Sequence, residues 1–138
     1  MPRYLGLDLG SVTCGVALSD ALGIIAKGLT TIRFKEDDYQ FALDEVMKIA
    51  KENIVKDIIL GLPKHMNGDI GIRANISYDF KAKLEENGFN VTLVDERLTT
   101  VYANNLMIEG NMRREKRREL KDTLAAQIIL QTYLDGRK

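Results

Sequence analysis

Histidine and cysteine are almost absent from this 138-residue chain, which contains one of each, His65 and Cys14. A single cysteine cannot form a disulfide within the chain. A zinc cluster of histidine and cysteine ligands needs several such side chains, so one chain of this composition cannot build it. A Cys14–His65 pair is formally able to act as a nucleophile and its base, but nothing in the sequence brings the two together.

An excess of charge of one sign is also lacking, as are long apolar runs. Twenty Lys and Arg residues balance twenty Asp and Glu residues, so the formal net charge is zero. A nucleic-acid partner would therefore have to be bound by a local basic patch. No apolar stretch approaches the roughly 20 residues of a membrane span, and Asp8 interrupts the first one, which is untypical of a secretion signal. We expect a cytoplasmic protein that does not bind membranes.

The remaining composition is typical of one globular domain. Hydrophobic residues make up 45% of the chain, an ordinary fraction for a folded protein. A chain of 138 residues is long enough for one hydrophobic core. Since the sequence shows no internal repeat, low-complexity tract or linker, we expect residues 1–138 to form a single domain.

Apolar periodicity predicts the secondary structure. Alternating apolar residues indicate strands, and a spacing of three or four indicates helices. Three early strands joined by short turns indicate an antiparallel meander, and the later alternation of strands and helices indicates parallel crossovers. The sequence therefore predicts an α/β domain with a five-stranded mixed sheet flanked by helices. The predicted elements are strands at 3–9, 12–19 and 24–34, a helix around 42–50, a strand at 57–62, a helix at 72–86, a strand at 90–96, and helices at 99–110 and 120–134.

Asp8 is a carboxylate in a strand that is apolar on both sides of it, and the strand is therefore expected to be central. On its own face its neighbours are Tyr4, Gly6 and Gly10, and glycine leaves room for a ligand or for a close backbone approach. A buried carboxylate is costly unless a metal, a cation or a proton compensates it. The alternative is a structural aspartate that forms an Asx turn with the Gly10-Ser11 segment.

Further acidic residues occur at the fifth strand and in the last helix. Asp95 and Glu96 end the strand, and because adjacent strand residues point to opposite faces, only one can share a site with Asp8. The alternation alone does not say which, and a solvated strand end or a salt bridge to Arg97 would also explain them. Asp122 begins the apolar stripe of the last helix, where an acid of the first helical turn, favoured by the helix dipole, is the alternative.

Carboxylates from three different elements, meeting at one edge of a sheet, would form an oxygen-rich site. Hard cations such as Mg²⁺ and Mn²⁺ prefer such ligands. Two ions ~4 Å apart can activate a water molecule and stabilise the leaving oxygen of a phosphodiester. This chemistry needs no histidine, in agreement with the composition.

A basic run precedes Asp122. Between Met112 and Lys121 six cationic side chains stand against two acidic ones, a local charge of +4. We interpret the run as a phosphate clamp beside the acidic site, and a solvated helix face is the alternative. Arg97 could bind either a carboxylate or a phosphate. The candidate nucleic-acid-binding residues are Arg97, Arg113, Arg114, Lys116, Arg117, Arg118 and Lys121.

Four short motifs occur in order over nearly the whole chain. They are Leu5–Ser11 followed by Gly15–Asp20, Gly61–Pro63 followed by Gly68, Val94–Thr100, and Asp122 followed by Ala125-Ala126 and Ile129-Leu130. These motifs resemble those of the YqgF/RuvX family. Each motif is weak alone, whereas four in register at this length are specific. The chain departs from many members of the family in the first turn, where Val12, Thr13 and Cys14 stand in place of basic residues.

The resemblance implies an RNase H-like fold related to that of Holliday junction resolvases, and a role in processing the 5′ end of precursor 16S ribosomal RNA. It implies that Asp8, Glu96 and Asp122 are the catalytic acids and hold Mg²⁺ or Mn²⁺, with Asp95 pointing away. We therefore expect a divalent-metal-dependent nuclease of ribosome biogenesis, acting as a monomer or homodimer.

Three other functions stay open on the sequence. A resolvase of branched DNA would keep the chemistry and need two paired sites in a dimer. A sugar-kinase or actin-type ATPase also uses an Asp-x-Gly phosphate loop but needs two such domains around a cleft, which 138 residues do not supply. A non-catalytic nucleic-acid-binding module is disfavoured because all three acids are present.

Overall fold

The computed structural model of the protein describes residues 3–62, 68–95 and 114–137, and it describes the backbone alone for the helical segments 68–70 and 114–122. These residues form five strands and three helices. In chain order they are β1 (Arg3–Leu9), β2 (Thr13–Ser19), β3 (Ala26–Arg33), α1 (Tyr39–Glu52), β4 (Val55–Leu62), α2 (Gly68–Glu86), β5 (Asn90–Asp95) and α3 (Arg114–Gly136).

The five strands form one sheet in the order β3-β2-β1-β4-β5. The pairs β1–β2 and β2–β3 are antiparallel, and the pairs β1–β4 and β4–β5 are parallel. The predicted mixed sheet, a meander followed by parallel crossovers, is therefore confirmed. Strand β1 lies at the centre, and its alternate apolar residues Leu5 and Leu7 are fully buried.

One face of the sheet carries the larger hydrophobic core, under α1 and α2. Helix α1 presents apolar residues at helical spacing to the sheet, and the side chain of Asp38 accepts a hydrogen bond from the Phe41 N–H at its N-terminus. Burial of this stripe holds the crossover between β3 and β4 on the sheet. The core includes Leu5, Leu7, Val16, Val46, Ile58, Leu60, Phe80 and Leu84.

The other face is covered by α3, and glycine controls how closely that helix packs. A Cβ on Gly6 would lie 2.7 Å from the Leu130 Cβ and 2.8 Å from the Ala126 carbonyl oxygen. Gly6 therefore serves the close backbone approach that was one of its two predicted roles. Ala17 and Ile59 complete this second, smaller core.

Helix α3 begins at Arg114, so the prediction that the last helix starts at Leu120 is wrong. The charged residues ahead of the apolar stripe are mostly Arg, Lys and Glu, which have high helix propensity and continue the helix without apolar residues at helical spacing. Asp122 consequently lies in the third turn, and the interpretation of Asp122 as a first-turn acid is wrong. The helix predicted at 99–110 lies outside the described residues.

None of the three helices in the described parts of the chain combines the length and the apolar character that a membrane crossing requires.

Candidate functional site

Asp8 lies near the carboxyl end of the central strand and is half-buried. It stands directly opposite Gly15 of β2. On the other side Leu7 pairs with Leu60 of β4, so the next residue of that strand, beside Asp8, is Gly61. Glycine on both flanks keeps the space around the carboxylate free of neighbouring side chains.

The carboxylate of Asp8 forms no hydrogen bond or ion pair with any residue that the structure describes. The alternative of an Asx turn is wrong, because the Gly10 N–H donates to the Thr13 carbonyl oxygen, at 2.7 Å, and not to Asp8. A half-buried carboxylate without a protein donor is stabilised by a cation. Its hard oxygen ligands fit a divalent metal such as Mg²⁺ or Mn²⁺.

Helix α3 runs antiparallel to β1 on the face that carries Asp8. The Tyr133 ring packs on Tyr4, with ring centroids 5.9 Å apart, and Ala126 packs on Gly6. Two strand residues and one helical turn cover similar distances, about 6.6 and 5.4 Å. One turn before Ala126, the backbone of residue 122 is therefore level with Asp8.

A second contact fixes α3 at this level. The hydroxyl groups of Thr31 and Thr123 are hydrogen-bonded at 3.0 Å. Thr31 pairs with Gly15, which in turn pairs with Asp8, so the three residues form one row across the sheet. A Cβ on Gly28 would overlap the methyl group of Thr123. The Thr31–Thr123 hydrogen bond and the absence of a side chain at Gly28 together place α3 next to the row of Asp8, Gly15 and Thr31.

The two faces of β5 separate the acids at its end. Val94 packs against the core under α3, whereas Val91 and Leu93 pack against the core under α1 and α2. By this alternation Asp95 lies on the face opposite Asp8. Glu96 lies outside the described residues, and its position on the face of Asp8 stays a prediction.

The three-acid cluster is therefore described only in part. Among the side chains that the structure describes, no group of three or more His, Cys, Asp or Glu residues could hold a metal ion. Two of the predicted acids lie outside these side chains, since Glu96 is not described and only the backbone of Asp122 is. Of the basic candidates, Arg97 and Arg113 lie outside the described residues, and the backbone alone is described for Arg114, Lys116, Arg117, Arg118 and Lys121.

The basic part of α3 extends past the edge of the sheet. The helix has 23 residues and is about 35 Å long, whereas the seven residues of β1 span about 23 Å. The part from Thr123 onward already covers the sheet from the level of Asp8 to that of Tyr4. The preceding turns, with their cationic residues, therefore extend beyond the edge nearest Asp8.

The chain is similar to known proteins over nearly its whole length. The family model described as "RuvX: Holliday junction resolvase" matches residues 2–136. The chain belongs to the RuvX family. Relatives named "Putative pre-16S rRNA nuclease" include that of Listeria monocytogenes, 48% identical over 96% of this chain and 97% of the relative. Another is that of Lactococcus lactis, 46% identical over 97% of this chain and 94% of the relative.

Solved structures of resolvases share the fold of this RuvX-family chain. Thermus thermophilus RuvC in complex with a Holliday junction substrate has a TM-score of 0.62 at 14% identity, covering 99% of this chain and 96% of that one. The fowlpox virus Holliday junction resolvase has a TM-score of 0.59 at 13% identity, covering 97% and 99%. Likeness at such low identity concerns the fold alone, and it confirms the predicted RNase H-like architecture.

Sequence analysis includes Gly15 and Gly61 in the family motifs but does not place them beside Asp8. Each is a glycine inside a predicted strand, a signal of close approach or of open space. Two residues that position α3 were missed. Thr31 and Thr123 gave no signal, because their contact depends on how α3 crosses the sheet.

Proposed function

We propose that this protein is a divalent-metal-dependent nuclease that processes the 5′ end of precursor 16S ribosomal RNA. The observation that carries the proposal is Asp8, a half-buried carboxylate at the centre of the sheet, without a hydrogen-bond donor among the described residues. The names of the RuvX-family relatives support the choice of substrate.

In this proposal Asp8, Glu96 and Asp122 hold Mg²⁺ or Mn²⁺. When bound, the metal lowers the pKa of a water molecule and neutralises charge on the phosphate. Asp8 contributes a rigid position, because its strand is hydrogen-bonded on both sides. Helix α3 contributes Asp122, and the Thr31–Thr123 contact holds that part of the helix level with Asp8. Close positioning of this kind is what metal-assisted hydrolysis requires of the protein.

The basic residues would bind the phosphates around the scissile bond. A chain with zero net charge attracts RNA only through a local patch, and the overhanging turns of α3 supply one next to the sheet edge of Asp8. We assign phosphate binding to Arg97, Arg113, Arg114, Lys116, Arg117, Arg118 and Lys121.

A second candidate function is cleavage of branched DNA, which the description of the family model favours. It uses the same acids but needs two sites paired in a homodimer. Processing of ribosomal RNA is open to a monomer or a homodimer, and we propose the cytoplasm as its setting, consistent with a lone cysteine that is buried.

The decisive experiment offers both substrates to the same purified protein. It is incubated with Mg²⁺ or Mn²⁺ and, separately, a labelled precursor 16S ribosomal RNA fragment and a four-way DNA junction. We expect metal-dependent cleavage of the RNA that chelation abolishes. Cleavage of the junction alone would make the protein a resolvase, and failure of the folded protein to cut either substrate with either ion would refute the nuclease.

A further inference from the structure

A shallow cleft opens where the edge strand β3 ends and α1 begins. Its volume is about 470 Å³, and it is lined by Arg33, Phe34, Lys35, Asp38 and Phe41. None of these residues belongs to the predicted acidic site or to the basic run of α3. We propose that this cleft binds an unpaired stretch of the RNA substrate a few nucleotides from the bond that is cut, an inference that rests on the proposed function.

The lining combines the two kinds of group that bind single-stranded nucleic acid. Arg33 and Lys35 are exposed and form no salt bridge with any described residue, so both cations are free to bind phosphates. Phe41 keeps 44% of its surface exposed, although the same helix buries Leu43 and Val46. An exposed aromatic ring beside two cations offers a surface on which a base can stack.

Three acidic residues, Glu36, Asp37 and Asp38, also lie in or next to the cleft, and the last two accept hydrogen bonds within the chain. The Asp38 carboxylate accepts the Phe41 N–H at 3.3 Å, capping α1. The Asp37 carboxylate accepts the Tyr39 hydroxyl at 3.5 Å. Acids at these positions are favoured by the dipole of α1. The cleft lining contains two cationic residues, Arg33 and Lys35, and one acidic residue, Asp38, so its net charge is positive.

The cleft is attached to the turn that follows Asp8. Arg33 is the strand partner of Thr13, and the Phe34 N–H donates to the Val12 carbonyl oxygen at 2.9 Å. Residues 10–14 of that turn include no cation, so Arg33 brings one beside it from the neighbouring strand.

Strand geometry sets the distance between the cleft and Asp8. Two strand spacings of about 4.8 Å and two residues of about 3.3 Å separate Asp8 from Arg33, which gives about 12 Å. About three to four stacked nucleotides span this distance. One RNA strand can therefore lie at Asp8 and in the cleft together.

The test measures binding apart from cleavage. In an Asp8→Asn background without metal, fluorescence anisotropy follows binding of a short single-stranded RNA and of a blunt RNA duplex over a range of salt concentrations. Arg33→Gln with Lys35→Gln should weaken single-strand binding about tenfold and flatten the logarithmic salt slope by about 1.4, the value for two phosphate contacts. Phe41→Leu should weaken single-strand binding about tenfold, leaving the salt slope and duplex binding unchanged.

Matched variants guard against trivial explanations. Lys27→Gln removes an exposed cation from the same strand, about 20 Å from Arg33, and should leave binding unchanged. Phe41→Tyr keeps the ring and should keep the affinity, which separates stacking from misfolding.

The outcomes distinguish this subsite from the nuclease proposal. If the double Arg33/Lys35 variant binds like the Lys27 variant in affinity and salt slope, the subsite is refuted even in a protein that cuts RNA. If the double variant binds single-stranded RNA more weakly while the parent cuts no substrate, binding of unpaired RNA by the cleft is supported and the nuclease proposal is refuted. If Phe41→Leu lost duplex binding and single-strand binding equally, the proposal that the cleft binds unpaired RNA would be wrong.

Discussion

Two aspartates show how position alone gives chemically identical side chains different surroundings. Asp8 lies on the sheet face under α3, as Gly6 does, and it has no hydrogen-bond donor among the described residues. Asp95 ends β5, two strands away from β1 in the sheet, and lies on the opposite face, next in alternation to Val91 and Leu93. An acid on that face cannot reach a metal bound at Asp8.

The pair Asp95 and Glu96 tests this separation directly. Glu96→Gln should remove most RNA cleavage while the fold stays intact, because its carboxylate is predicted on the face of Asp8. Asp95→Asn should cost little activity, since it lies on the other face. Cleavage rates of the two variants test this expectation, and circular dichroism checks that both are folded. A dead Asp95→Asn protein beside an active Glu96→Gln protein would show that both the register and the motif assignment are wrong.

Sequence reasoning at the residue scale rests on local signals. Asp8 is predicted as a site residue because a carboxylate stands between two glycines of an apolar segment, within the five residues from Gly6 to Gly10. The level of Asp122 depends on α3 packing against Gly6, a contact between residues over a hundred positions apart, so spacing could not predict it. The position of Arg33 could not be predicted either, because only strand pairing brings it beside Thr13.

At the scale of elements, the placement of α3 on the sheet determines whether an acid in the helix can reach Asp8. The helix is held by Thr31 and Thr123 at one end and by the Tyr4–Tyr133 ring contact at the other. Between them the strands offer Gly28, Ala17 and Gly6, whose small size permits a close approach.

A methyl group at position 28 should displace this helix. In Gly28→Ala the new Cβ overlaps the Thr123 methyl, so we expect a loss of about 1–3 kcal/mol in the free energy of unfolding and slower cleavage. Gly71→Ala is the matched control, because a Cβ at that position would have no described atom from outside its own stretch of α2 within 4 Å, and the variant should gain up to about 1 kcal/mol. Urea denaturation measures both. Equal stability of the two variants would contradict the close contact.

The hairpin between β2 and β3 carries a pH-dependent contribution to stability. The Asp20 carboxylate accepts the N–H groups of Ile24 and Ile25 at 2.8 and 3.2 Å, and these bonds lower the pKa of Asp20 below its usual 3.8. A lowered pKa in the folded state stabilises the protein above the unfolded value, and that contribution is lost as the pH falls through the folded one.

Replacement of Asp20 should therefore lower stability at neutral pH and have little effect on stability in acid. Asp20→Ala should lower the free energy of unfolding at pH 7, and its difference from the parent should shrink as the pH falls below about 3.8. Denaturant titrations at a series of pH values follow this difference. A difference that stays constant across the series would mean that the charge of Asp20 contributes nothing.

For the whole molecule, hydrophobic periodicity was sufficient to predict the sheet. The alternate apolar residues of β1 and the helical spacing of α1 are strong signals because their large side chains share the core under α1 and α2, and the five-stranded mixed sheet was confirmed. The predicted start of α3 was wrong because residues 114–119 are helical without any apolar stripe in their sequence. Apolar periodicity can indicate a helix only where such a stripe exists.

We propose that the Asp8 carboxylate binds a cation, and the Asp8→Asn variant tests this. RNA cleavage with Mg²⁺ and the free energy of unfolding without metal are compared for the parent and for Asp8→Asn. Cleavage should fall by more than about 100-fold, since a metal ligand that supplies several kcal/mol is lost. Stability without metal should be equal or higher, because a half-buried charge has been removed. Near-parental cleavage by Asp8→Asn, or a marked loss of its stability, would show that Asp8 is not a metal ligand.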